Sequence, residues 1–151
     1  MLVTNHVLSG AVVGAALRNP IPAFAVGVAS HFALDSVPHW GQWDSDRQFF
    51  RVAVIDGLTG LTAMAAMTQL ARRNGTPWLA LSVLAGMAGA ALPDLDKPSK
   101  ILLGHTLWPE KVNDFHHRIQ DEAPHRFYSH EVVGAVGFVV GAVTLIRRFA
   151  R

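Results

Sequence analysis

The chain contains no cysteine, so it has neither a disulfide framework nor a thiolate metal site, and any metal must sit on His, Asp or Glu. Charge is scarce too: Lys, Arg, Asp and Glu make up 16% of the 151 residues while 50% are apolar. That balance is greasy for a water-soluble protein of this size and points first to a membrane. A net charge of +2, with no basic run interleaved with aromatics, gives no footing for nucleic acid as a partner. Residues 1–17 lack a basic leader and a cleavage site, so they read as a retained first helix rather than a signal peptide.

What is present is a string of apolar segments, at residues 3–17, 21–37, 50–71, 78–92 and 132–146. All are long for strands, and their Ala, Gly and Leu content without period-two alternation favours helix. Pro20, Pro22, Pro38, Pro77 and Pro93 fall at segment ends, where a missing N–H costs least. The expectation is an all-α membrane bundle of about five helices forming one domain over residues 1–151. Several segments fall short of the ~20 residues that cross a hydrocarbon core of about 30 Å, which keeps a soluble helical bundle open as the alternative. Gly10 with Gly14, and Gly86 with Ala90, have the spacing that lets helices approach closely. Residues 93–131 differ from the rest, being polar and rich in His, Asp and Lys, and read as a partly helical excursion that carries recognition or chemistry.

Two stretches repeat each other. His6-Val7-Leu8-Ser9-Gly10 opens the first helix as Asp56-Gly57-Leu58-Thr59-Gly60 opens the third; each helix then reaches an Arg-Asn turn, at Arg18-Asn19 and Arg73-Asn74. From those turns the spacing to Val37-Pro38-His39 and to Leu92-Pro93-Asp94 is the same, so Asp94 stands where His39 stands in the first copy. A duplicated helical hairpin is expected, with both copies in one orientation and their polar ends at one edge.

Counting crossings sorts the charges. One end of the bundle receives Arg18, Arg72, Arg73, Arg147, Arg148 and Arg151 and no acid, while the other receives all 11 acidic residues and all eight histidines. Short, basic, acid-free loops mark the cytoplasmic face, which puts the His/Asp rim on the periplasmic side of a multi-pass inner-membrane protein.

At that rim, His31, Asp35 and His39 lie four apart and stack along one helical face, a spacing at which imidazole and carboxylate can close on one ion. Taken alone such a pair is more often a cap or a buried polar contact. Asp56 near a helix start can simply favour the positive helix end. Asp94-x-Asp96 after Pro93 can be a solvated turn, and the stretch from His125 to Glu131 a loop introducing the last helix. Jointly they weigh more, because ionisable groups at a membrane edge are costly unless paired, hydrated or bound to an ion. Imidazole plus carboxylate without sulfur suits zinc, with manganese or iron as alternatives. An ion with an open position supplies a nucleophile at neutral pH, and hydrolysis follows from such a set.

Thr4-Asn5-His6 followed by Gly10, the segment Leu92-Pro93-Asp94-Leu95-Asp96-Lys97-Pro98-Ser99, and His125-Arg126 followed by Ser129-His130 resemble, in order along the chain, the YdjM-like family of bacterial inner-membrane proteins regarded as metal-dependent hydrolases. The resemblance implies a metal site on His6, Asp94, Asp96, His125 and His130. Two positions depart from the family pattern: Phe127 stands where Gly is usual, and Glu131 follows the final His where Ser is common. The segment from His31 to His39 is also faintly similar to the His-x-x-x-Asp portion of zinc-dependent phospholipases C, which implies phosphoester substrates.

The expected function is therefore membrane-bound, metal-dependent hydrolysis of an ester or phosphoester, with a lipid or small molecule as substrate and the bilayer as partner. His6, Asp94 and His130 are the expected core ligands, with His125, Asp96, His39, Asp35, His31 and Asp56 completing the set. Asp96 or Glu131 would be the base, and Arg126 and Lys97 would hold a substrate anion. A transporter that relays protons or metal, and a non-catalytic membrane protein tied together by a structural metal, are the rival readings.

Overall fold

In a computed structural model the chain is described over residues 1–41 and 43–148, with the side chain of Ile101 also left aside. Among the described residues Arg151 has no place, so the charge sorting rests on the other five arginines of its end. Seven α-helices follow one another among the described residues: α1 (Val3–Leu17), α2 (Pro20–Asp35), α3 (Asp46–Asn74), α4 (Pro77–Ala91), α5 (Asp96–Leu103), α6 (Glu110–Ile119) and α7 (Tyr128–Arg148), with a 3-10 turn at Leu92–Leu95. The five expected apolar helices are α1 to α4 and α7. The polar excursion supplies the 3-10 turn, α5 and α6. No strand occurs among the described residues, only an isolated parallel bridge between His39 and Glu122.

Local chemistry sets the helix limits. Arg18 takes a left-handed backbone (φ 55°) to end α1, and Asn19 then caps α2, accepting from Ile21 N at 3.1 Å, ahead of a proline in the first turn. Helix α4 starts as α2 does, with Thr76 accepting from Leu79 N at 3.1 Å ahead of Pro77. Helix α3 starts a turn earlier than its apolar run because Ser45 caps it, and ends later through Arg72 and Arg73, which suit a helix C-terminus.

Helix α4 is the axis of the bundle, packed against α1, α2 and α3. Its crossing with α1 needs glycine: a Cβ on Gly10 or Gly86 would run into the other residue's backbone carbonyl, and one on Gly14 into that of Ser82. Ser82 Oγ then donates to Gly14 O at 2.9 Å across the same contact. Around it Val7, Leu8, Ala11 and Ala15 of α1 meet Val83 and Met87 of α4, with Met67 and Ala71 of α3 and Ile146 of α7 closing the core.

The outer faces of α3 and α7 are apolar yet uncovered. Leu58, Leu61, Val133 and Val140 are each at least 60% exposed. Water does not tolerate such a surface, while hydrocarbon does. Three helical stretches, Asp46–Asn74, Pro77–Lys100 and Tyr128–Arg148, are long and apolar enough to cross a bilayer. The soluble alternative is set aside on this ground. Helices α1 and α2 have 15 and 16 residues; α2 packs mainly on α4 and α1, while α1 also packs on α7 and α3.

Candidate metal centre

The last turns of α2, the 3-10 turn after α4 and the second turn of α6 converge at one end of the bundle. His31 and Asp35 come from α2, one turn apart; Asp94 comes from the 3-10 turn that Pro93 helps to set; His116 comes from α6. One ligand-capable atom from each lies within 4.8 Å of all the others, and all four residues are buried. Helix α6 reaches the site because residues 121–123 are strapped to the end of α2: Asp121 N donates to Asp35 O, His39 N to Asp121 O, and Ala123 N to His39 O, each at 3.0 Å.

Asp35 is the centre of the set. Its Oδ2 lies 2.9 Å from His116 Nε2 and 3.2 Å from His31 Nε2, and its Oδ1 lies 3.0 Å from His6 Nε2 and 2.7 Å from the Met1 amino group. His31 Nε2 and His116 Nε2 are 3.0 Å apart, and the His6 and His31 rings stack with centroids 3.9 Å apart. His31 Nδ1 donates to Ala90 O at 2.8 Å, so in the neutral ring Nε2 carries a lone pair pointing at another lone pair on Asp35. His116 can bring one proton to this meeting and no more. The arrangement calls for a cation, either an extra proton or a metal.

The donor set fits a metal. Ligands about 2.0–2.2 Å from a tetrahedral ion stand roughly 3.3–3.6 Å from one another. Here the separations His116–Asp35, His31–His116, His31–Asp35 and His31–Asp94 are 2.9, 3.0, 3.2 and 4.0 Å. A backbone carbonyl holding the far nitrogen of a ligating imidazole is the usual support of such sites. Two ammonium groups already gather at the acids, Met1 on Asp35 and Lys97 Nζ on Asp94 Oδ1 at 2.9 Å. His6 Nδ1 is buried without a partner.

His39 lies beside this set in the loop after α2. Its Nδ1 donates to Val37 O at 2.8 Å, and its buried Nε2 has no partner. Burial, and then the nearby amino terminus, hold its pKa below the ordinary 6.5, so the ring is neutral.

The remaining expected residues are placed elsewhere. Asp56 lies well inside α3, not at a helix start, and caps a different helix: it accepts from Val3 N at 2.6 Å and Thr4 N at 3.1 Å and from the Thr4 hydroxyl, satisfying the first turn of α1. Glu131 is buried, accepting from Leu2 N at 3.2 Å, Asn5 Nδ2 at 2.7 Å and Trp40 N at 3.3 Å. Asp96 accepts from Leu107 N at 3.0 Å and shapes the loop after α5. His125 and His130 are exposed, and His130 takes its hydrogen bond and ring contact from Phe127. Arg126 is partly buried. His116 is not singled out by the sequence: on α6 it is buried while the neighbouring Val112, Phe115 and His117 are exposed, so the helix's own pattern gives no signal for it.

Fold and site together define a small helical membrane protein with a buried His/Asp cluster at one end. Residues 55–151 match the family model described as YdjM inner membrane protein. The chain belongs to that family. The match takes in Leu92–Leu95 and the stretch from His125 to His130, while His6, His31 and Asp35 lie ahead of it. No curated protein and no solved structure matches the chain.

Proposed function

We propose that this protein holds one divalent metal ion, zinc in preference to manganese or iron, between His31, Asp35, Asp94 and His116, and that it hydrolyses an ester or phosphoester, lipidic in nature, at the membrane edge. The observation that carries this reading is the meeting of His31 Nε2, His116 Nε2 and Asp35 Oδ2 within 3.2 Å while His31 Nδ1 is committed to Ala90. A divalent ion bound there supplies Lewis acidity and a nucleophile near neutral pH. The chain's own groups do the rest. Lys97 orients Asp94 and is the cation placed to meet a substrate anion. His39, neutral and with a free Nε2, accepts a proton, a task for which Glu131 is too fully hydrogen-bonded.

The test is release of product from chromogenic esters and phosphodiesters and from short-chain phospholipids, with purified protein in detergent. Turnover is expected to vanish with chelator and in Asp35→Asn, and to fall about 10²–10⁴-fold in His39→Gln with metal content unchanged. No turnover by well-folded, metal-loaded protein on any of these substrates would remove the hydrolase reading. It would favour the second one, a structural ion, which the full burial of His6, His31 and Asp35 supports.

The same account has the His/Asp rim on the periplasmic side of the inner membrane, because Arg72, Arg73, Arg147 and Arg148 gather in acid-free ends of α3 and α7. Since the chain has no native thiol, His105→Cys in whole cells should react with an impermeant maleimide and Arg72→Cys only after permeabilisation. The reverse pattern would invert the orientation, and labelling of both from outside would break the topology.

A further inference from the structure

A second concavity lies apart from the cluster. It runs between α3 and α7, encloses about 470 Å³, and none of His31, Asp35, Asp94 or His116 lines it. Its walls are Val52 and Ile55 of α3 and Val132, Val136 and Val140 of α7. One end is different: there Thr4, Asn5, Asp56 and Glu131 sit with Trp40 and Tyr128, whose rings meet edge to face at 5.4 Å.

We propose that this cleft binds one acyl chain of a bilayer glycerolipid, drawn from the leaflet on the side of the His/Asp rim, with the ester region of the lipid at the Trp40 and Tyr128 end. Three observations carry the assignment. Both walls are helices able to cross the membrane whose apolar stretches are only 6% and 17% buried, so the medium at the mouth of the cleft is hydrocarbon. The two acids at the polar end are already engaged, Asp56 by Val3 N and Thr4 N and Glu131 by Leu2 N, Asn5 and Trp40 N, so neither is held out to a cation and the cleft suits an uncharged chain. Lastly, Tyr128 to Val140 covers about 18 Å at the rise of a helix, close to the half-thickness of roughly 15 Å that one leaflet contributes to the core. Trp and Tyr at the polar end match the interfacial depth at which such rings settle.

This site stands whether or not the cluster holds a metal, and its test reads neither metal nor turnover. The protein is reconstituted in phosphatidylethanolamine and phosphatidylglycerol vesicles containing a trace of phosphatidylglycerol with a diazirine in mid-chain, irradiated, and mapped by mass spectrometry. Adducts are expected to concentrate several-fold on 52–59 and 132–140 over apolar positions that are more exposed than the cleft walls, such as Ile21 and Leu61. Ala135→Trp, which fills the cleft, should cut that labelling several-fold, as should Val136→Trp. Val133→Trp, on the outer face of α7, should leave it unchanged. All variants are first required to elute as the wild type does, and the two cleft positions stand in for one another should one fail to fold. Even labelling over all exposed apolar positions, or undiminished labelling in a folded cleft variant, would overturn the proposal. So would crosslinks joining α7 to a second chain in place of lipid adducts, which would hand the cleft to another copy.

Discussion

At the scale of single residues, the carboxylates divide by what their oxygens accept. Asp35 collects imidazoles, whereas Asp56 and Glu131 collect backbone N–H groups from the start of α1. Asp56→Ala leaves Val3 N and Thr4 N without their acceptor, while the Thr4 hydroxyl keeps the residue-56 carbonyl at 3.2 Å; it is expected to cost about 1–3 kcal/mol of stability with metal content unchanged, read by thermal unfolding in detergent and by elemental analysis. Loss of metal from a folded Asp56→Ala would restore Asp56 as a ligand. The i, i+4 spacing made His31 and Asp35 legible in the sequence because one helical turn was enough to bring them together. Asp94 was legible from its place after Pro93. His116 was hidden by its setting: it reaches the site only because residues 121–123 are tied to the end of α2, a long-range contact that no local pattern encodes. His130 attracted attention through motif resemblance, which carries no information about where α7 begins relative to the cluster.

At the scale of elements, the bundle depends on how closely α1 and α4 approach. Gly86→Ala must push a methyl into the Gly10 carbonyl and is expected to destabilise by about 1–3 kcal/mol. Gly137→Ala on α7 meets nothing within 4 Å and should be neutral or stabilise by up to about 1 kcal/mol. Unfolding of both variants in mixed micelles checks the contrast, and equal behaviour would deny the tight crossing. The five apolar helices were readable because caps and prolines punctuate them, and α1 falls on its expected residues. Helix α3 extends beyond its apolar run because Ser45 and the Arg72–Arg73 pair, all polar, continue the helix where hydropathy alone stops. The spacing of Gly10 with Gly14 and of Gly86 with Ala90 was visible, whereas the partners of these residues across the crossing required the structure.

At the scale of the whole molecule, lipid-facing α3 and α7 enclose an axis of small residues. The chain's polar chemistry collects where α2, the turn after α4, and α6 meet. Sorting of charge to opposite ends is what counting crossings predicts, since a chain in which each apolar helix reverses direction assigns every loop a side, and the thiol-labelling experiment tests it. The central claim is that residues from three separate elements share one ion. Elemental analysis of detergent-purified protein, from cells supplied with zinc, manganese and iron, tests it most directly. About one divalent ion per chain is predicted for the wild type and for His130→Ala, and a loss of most of it in folded His116→Ala and Asp35→Ala. Metal-free wild type, or metal retained by both cluster variants and lost from His130→Ala, would contradict it.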